Sequence, residues 1–205
     1  MIFVIFVIYS IINIIYCNRD IEYIYDWFNN NLINQSKILL DGDVNNILID
    51  DIILQIKKAN NKNNIWMLIN SDGGDLIQGI KLINFMDLTR NINNIKYNCI
   101  CVKAISTSFN IFQLCDNRYV FNSYNLMIIH KPQLYIYGTF NFVLEYMFNG
   151  LLNDYFDYQN IEMKILLKLN IDKYEYFKKI ENSDWIIENN LTEIKEYNLV
   201  DYIIV

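Results

Sequence analysis

The chain has 205 residues, 53% of them hydrophobic and 20% charged, with a formal net charge of −6. Its length supports one domain with a sizeable core and excludes two large ones, and its composition excludes a disordered chain. An acidic chain without a Lys/Arg cluster is ill suited to hold nucleic acid, so no nucleic-acid partner is expected. There are 38 Ile and 31 Asn against two Ala. That skew fits an AT-rich coding sequence, so Asn-rich stretches carry little functional weight.

Residues 1–16 are apolar except for Ser10 and Asn13, and the first charge is Arg19. A membrane-spanning helix takes about 20 apolar residues. This run is closer to the hydrophobic core of a signal peptide, with a small residue, Cys17, at the expected cleavage point. A retained anchor is the alternative. Residues 18–205 then form a single globular unit without an internal repeat or linker.

Within that unit, Ile38-Leu39-Leu40 followed by Asp41-Gly42-Asp43 predicts a strand ending in a turn. Residues 44–60 place Ile47, Leu48, Ile52, Leu54 and Ile56 on a helical stripe. Residues 65–69 predict a buried strand, and 76–88 a helix in which Gly79 permits close packing. Strands are expected at 95–102, 125–129 and 200–205, and helices at 109–115, 139–169 and 192–197. The alternation indicates an α/β fold. Of the four cysteines, Cys99 and Cys101 alternate in a strand and share one face. With one His in the chain they make no zinc set, and buried free thiols are expected.

Two places carry chemistry. Asn70-Ser71-Asp72-Gly73-Gly74 lies between a buried strand and a helix start, where backbone N–H groups can turn toward an oxyanion. A purely structural turn is the alternative, and no nucleotide P-loop motif is present. His130, the single His, follows the apolar strand 125–129 and precedes Lys131-Pro132. It fits a general base at the rim of a site, or a structural histidine satisfied by hydrogen bonds.

Together these segments resemble the ClpP family, the proteolytic subunits of Clp proteases. The family motif INSPGG stands here as Ile69-Asn70-Ser71-Asp72-Gly73-Gly74, with the following family glycine at Gly79. The family ICV strand matches Ile100-Cys101-Val102, and MIHQP matches Ile128-Ile129-His130-Lys131-Pro132, with a Gly at 138. The closing EYGLVD stands as Glu196-Tyr197-Asn198-Leu199-Val200-Asp201. Upstream, Tyr25-Asp26 and Lys37 to Leu40 resemble the family's first strand. The resemblance implies a ClpP/crotonase-like spiral of ββα units with a protruding handle helix, here about 133–169. It also implies homo- or hetero-heptameric rings with ClpP-like subunits, a docked AAA+ Clp unfoldase, unfolded polypeptide substrates, and no cofactor or metal. Phe140, Phe142, Tyr146, Phe148, Tyr155 and Phe156 of the handle would bury against neighbouring subunits or the chain's own core. A crotonase-type acyl-CoA enzyme shares the spiral, but the His-x-Pro element and the closing Tyr-x-Leu-Val-Asp argue against it.

The resemblance implies a Ser-His-Asp triad with an oxyanion site at Gly73 and Gly74. His130 fills the His position, and Asp184 fits the Asp better than Asp172 does. The nucleophile motif departs from the family pattern. Without gaps, Thr107 falls on the nucleophile; a deletion gives Ser106 and an insertion Ser108. In the ungapped register Lys103 and Phe109 replace two glycines, and Phe109 is expected to crowd the oxyanion turn. Asp72 replaces a proline and is expected to set a negative charge against a developing oxyanion. Leu134-Tyr135 replaces a glycine pair after the His motif. A degenerate, ClpR-like subunit is therefore the leading expectation, with an active serine endopeptidase using Ser106 or Ser108, His130 and Asp184 as the alternative. The signal-like start and the coding bias suggest an apicoplast-like plastid, with a membrane-associated or cytoplasmic location as alternatives.

Overall fold

In the computed structural model, residues 19–59, 63–131, 150–181 and 183–205 are described. The signal-like segment at 1–17, Leu134-Tyr135, Gly138 and the first half of the expected handle lie outside them.

A helix over 19–31 (α1) leads into β1 (Ser36–Asp41). Tyr25-Asp26, which resembles part of the family's first strand, belongs to this helix. Ile24 and Phe28, at helical spacing, and Leu32 just past its end pack against the sheet. Next comes α2 (Asn46–Lys58), capped by Asn45, whose side chain accepts the Leu48 N–H at 3.0 Å. Its buried face is Ile49, Ile52, Ile53 and Ile56, so the expected stripe is rotated: Ile47 is 76% exposed and Leu54 47%. Apolar residues occupy most of this helix, and contact with α3 and β1 selects the buried ones.

β2 (Asn64–Ser71) and α3 (Leu76–Asn93) follow, the latter capped by Asp75 through the N–H groups of Ile77 and Gln78. Then come β3 (Lys96–Ile105), α4 (Thr107–Gln113), β4 (Asn117–Phe121) and β5 (Leu126–Ile129). The chain closes with α5 (Leu151–Lys168), α6 (Lys173–Glu181), β6 (Trp185–Glu188), α7 (Leu191–Glu196) and β7 (Tyr202–Ile204). α1, β4, α6 and β6 are additions to the sequence reading.

The strands form one sheet in the order β1-β2-β3-β4-β7, all parallel, with β5 branching from β3 and β6 pairing antiparallel to β5. The branch arises because β3 changes neighbours along its length: Asn98–Cys101 pair with β4, and Lys103–Ile105 pair with β5. Parallel strands buried on both faces read as continuous apolar runs, as β2 and β3 do. α1 covers Leu68, Ile100, Val102 and Phe121 on one face, while the main core on the other includes Ile69, Cys99, Cys101 and residues of α2 to α5.

α5 covers the described part of the expected handle. Ile161, Ile165 and Leu169 dock its end on the chain's own core, whereas Phe156 is exposed. No helix among the described residues is long and apolar enough to cross a membrane.

Cys99 and Cys101 do share a face, but the free-thiol expectation is corrected. Cys99 is disulfide-bonded to Cys115, and among the described residues only Cys101 is free and buried. The chain turns back along α4 and brings the thiol just past that helix onto the strand before it.

Candidate active site

The site is built at the C-terminal ends of β2, β3 and β5. β3 ends at Ile105, and the backbone turns at Ser106 with φ 57° and ψ −122° before α4 begins. A non-glycine residue in such a conformation is strained and persists only when its surroundings hold it. The holding contacts are specific. Ser106 N–H donates to the Ile128 carbonyl at 2.9 Å, and the Ser106 carbonyl accepts from Phe109 N–H at 3.0 Å. Ser108, fully buried, accepts the Ile105 N–H at 2.8 Å, and its hydroxyl lies 2.9 Å from the Ser71 carbonyl and 2.7 Å from that of Ile105. This geometry leaves Ser106 half-buried at the turn, with no side-chain cap bond.

The three candidate hydroxyls therefore have different fates. Thr107, placed at the nucleophile position by the ungapped register, is a packing residue: it is 3% exposed, and its hydroxyl donates to the Gly74 carbonyl at 3.1 Å. Ser108 is committed to the turn itself. Ser106 alone sits at the strained turn with its hydroxyl unengaged by described residues. Phe109 does not crowd the oxyanion turn; it faces inward and is fully buried in the main core.

The Gly73-Gly74 turn lies directly against Ser106. A Cβ on Gly73 would stand 2.4 Å from the Ile105 carbonyl oxygen and 2.9 Å from Ser106 Cβ, so only glycine permits this approach. Gly73 N–H donates to Ser71 Oγ at 3.1 Å, a side chain–backbone turn that the sequence reading missed. A Ser two residues before the Gly was the signal for it. Gly74 makes a parallel bridge with Val44 through the Gly73 carbonyl and the Asp75 N–H. That leaves the Gly74 N–H pointing away from Val44. The Thr107 nitrogen, at the start of α4, would stand 3.1 Å from a Cβ on Gly73, and backbone amides at such a turn suit a developing oxyanion.

Asp72 does not stand as an isolated negative charge. Lys103 Nζ reaches its carboxylate at 2.8 Å, so two departures from the family pattern pair with each other.

His130 follows β5 and is half-buried. Pairing of Ile105 with Ile128 places it at the same edge as Ser106. The antiparallel register pairs Ile129 with Trp185, so one step further sets His130 opposite Asp184. Topology thus brings Ser106, His130 and Asp184 to one edge. The side chains, however, do not form a chain of hydrogen bonds. His130 Nδ1 lies 2.8 Å from the Lys131 carbonyl, and Asp184 is exposed with no bond to the ring. Asp172 is a helix cap instead: its Oδ1 accepts the N–H groups of Tyr174 and Glu175 at 2.9 and 3.0 Å. Among the described residues no group of His, Cys, Asp or Glu is arranged to hold a metal.

The family model for Clp protease matches residues 20–205. The chain belongs to the Clp protease family. Its sheet and helices agree with the fold of that family, and it is a ClpP-type protease subunit by descent. Family members form ClpP-type rings with Clp ATPases. No curated protein matches the chain.

Proposed function

We propose that this chain is a non-catalytic, ClpR-like ring subunit of a Clp-type protease complex. The observation that carries the reading is the state of His130. A serine peptidase needs a carboxylate on Nδ1, which fixes the tautomer and stabilises the imidazolium formed when Nε2 takes the serine proton. Here Nδ1 faces the Lys131 carbonyl. A neutral carbonyl fixes the tautomer but supplies no full negative charge. Without that charge, the imidazolium formed during proton transfer is left unstabilised. The subunit would fill places in mixed rings with active ClpP-like partners, beneath an AAA+ Clp unfoldase that delivers unfolded polypeptides.

The second reading, an active serine endopeptidase, is favoured by one feature. Ser106 occupies a strained strand-to-helix turn directly against Gly73. In that case Ser106 attacks, His130 takes its proton, and Asp184 orients His130.

Fluorophosphonate labelling with peptide mapping separates the two. The purified chain is labelled alone and again after assembly with an active family subunit. Labelled partner and unlabelled chain in one ring is the expected result. An adduct on Ser106 that disappears in His130→Ala overturns the non-catalytic reading.

A further inference from the structure

The Cys99–Cys115 disulfide encloses the candidate site's turn. The two cysteines are 16 residues apart, and between them lie the second half of β3, Ser106 and all of α4. Both have no exposed surface. α4 has seven residues, too few to persist on its own local hydrogen bonds, so tertiary ties must hold it. Its start is tied by Ser108 to Ser71 and Ile105, and by Thr107 to Gly74. Its far end is tied by the disulfide and by Lys168 Nζ, which donates to the Cys115 carbonyl at 2.6 Å. The strained Ser106 backbone is held from both sides, and the covalent tie is one of them.

The third thiol on this face does not open the bond by itself. Cys101 is buried, burial pushes its thiol well up from the usual range, and Sγ lies 3.7 Å from the Leu126 carbonyl. A thiolate is the species that attacks a disulfide. Reduction therefore needs local opening of the core around α4.

We propose that the Cys99–Cys115 disulfide is a redox lock on the Ser106 turn: oxidised, it fixes α4 on β3, and reduced, it lets α4 and the turn open locally. The bond forms by two exchanges with a small-molecule disulfide. One cysteine thiolate attacks the donor and releases one donor thiol; the second cysteine thiolate attacks the mixed disulfide and releases the other. Both cysteine protons leave, and the donor disulfide is reduced to two thiols. The lock concerns the conformation of the turn and holds whether or not Ser106 is a nucleophile.

Hydrogen-exchange mass spectrometry of the full chain tests this. One sample is refolded with oxidised glutathione, a second is reduced, and a third carries Cys99→Val with Cys115→Ala, which keeps the site apolar. Amides of 107–115 are expected to exchange at least tenfold faster in the reduced and variant chains, with β1 and α2 unchanged. Equal rates at 107–115 would overturn the lock, as would acceleration spread over all elements. Where the variant does not fold, the reduced wild-type chain supplies the comparison. Alkylation of both cysteines in the native, glutathione-refolded chain also overturns it.

Discussion

Lys103 and Asp72 face each other across the ends of β3 and the Gly73-Gly74 turn, with 2.8 Å between ammonium and carboxylate. The two positions are 31 residues apart, and each departs from the family pattern, Lys for Gly and Asp for Pro. The pair neutralises a charge that would otherwise stand alone beside the Gly73-Gly74 turn. Both partners retain contact with water, so the energetic gain is small. A double-mutant cycle of Asp72→Asn and Lys103→Gln is expected to give a coupling of at most about 1 kcal/mol in urea unfolding. It should shrink further as salt rises. A coupling of several kcal/mol would mean the pair is a buried strut and not a rim contact.

Gly79 and Thr107 are coupled through a single methyl group. A Cβ on Gly79 would lie 2.1 Å from Thr107 Cγ2. Gly79→Ala is therefore expected to destabilise the chain by about 1–3 kcal/mol through overpacking. Thr107→Ser removes that methyl and keeps a hydroxyl for the Gly74 carbonyl. The double variant should recover most of the loss in thermal unfolding. Additive losses would show that the helix backbones, not the methyl, set the contact.

This contact also explains what was legible in the sequence. The strand, turn and helix around 65–88 follow from local signals: an apolar run, Gly-Gly, and apolar residues at helical spacing. His130 at a strand end was equally local. The identity of the turn residue among 106–108 was not. It is decided by Thr107 packing on Gly79 and by Ser108 reaching Ser71, contacts across 28 and 37 positions. The disulfide was hidden for the same reason, since it depends on α4 folding back beside β3. The buried face of α2 is not legible in the sequence, because Ile47 and Leu54 have the same apolar character as the residues that are buried.

Arg118 and Asp201 tie β4 to the segment before β7. Arg118 is 3% exposed; its Nε and Nη2 donate to the two Asp201 oxygens at 3.0 and 2.9 Å, and Nη1 donates to Gln113 at 2.6 Å. Burial alone would raise the Asp201 carboxyl, but the Arg118 bonds and charge outweigh it and hold it below the usual 3.8. A depressed folded value means that this stabilisation is fully present above the unfolded value and is lost as pH falls through the folded one. Asp201→Asn is expected to cost about 3 kcal/mol at pH 7, because a buried guanidinium loses its counter-charge. The gap between wild type and variant should narrow below about pH 4 in urea unfolding. An equal gap at pH 3 and pH 7 would remove the ion pair from the account.

Lys168 makes the opposite prediction. Burial, and then the charge of Arg118, push its ammonium down from 10.5 to about 8, while its Nζ holds the Cys115 carbonyl. Between about 8 and 10.5 the unfolded chain binds a proton that the folded chain does not. Unfolding free energy must then rise with pH across that window, and the gain is lost as pH falls through 8. Lys168→Met keeps the apolar stem and removes the titration. Wild type is expected to gain about 1 kcal/mol over this variant between pH 7.5 and 9.5, the full shift being discounted for partial exposure. The cost of charging Lys168 falls at the end of the loop closed by the disulfide. After correction for base-catalysed intrinsic exchange, the same rise in pH should therefore raise the protection factors of the 107–115 amides in wild type and leave them unchanged in Lys168→Met. A parallel response in both chains would place the pH dependence elsewhere in the molecule.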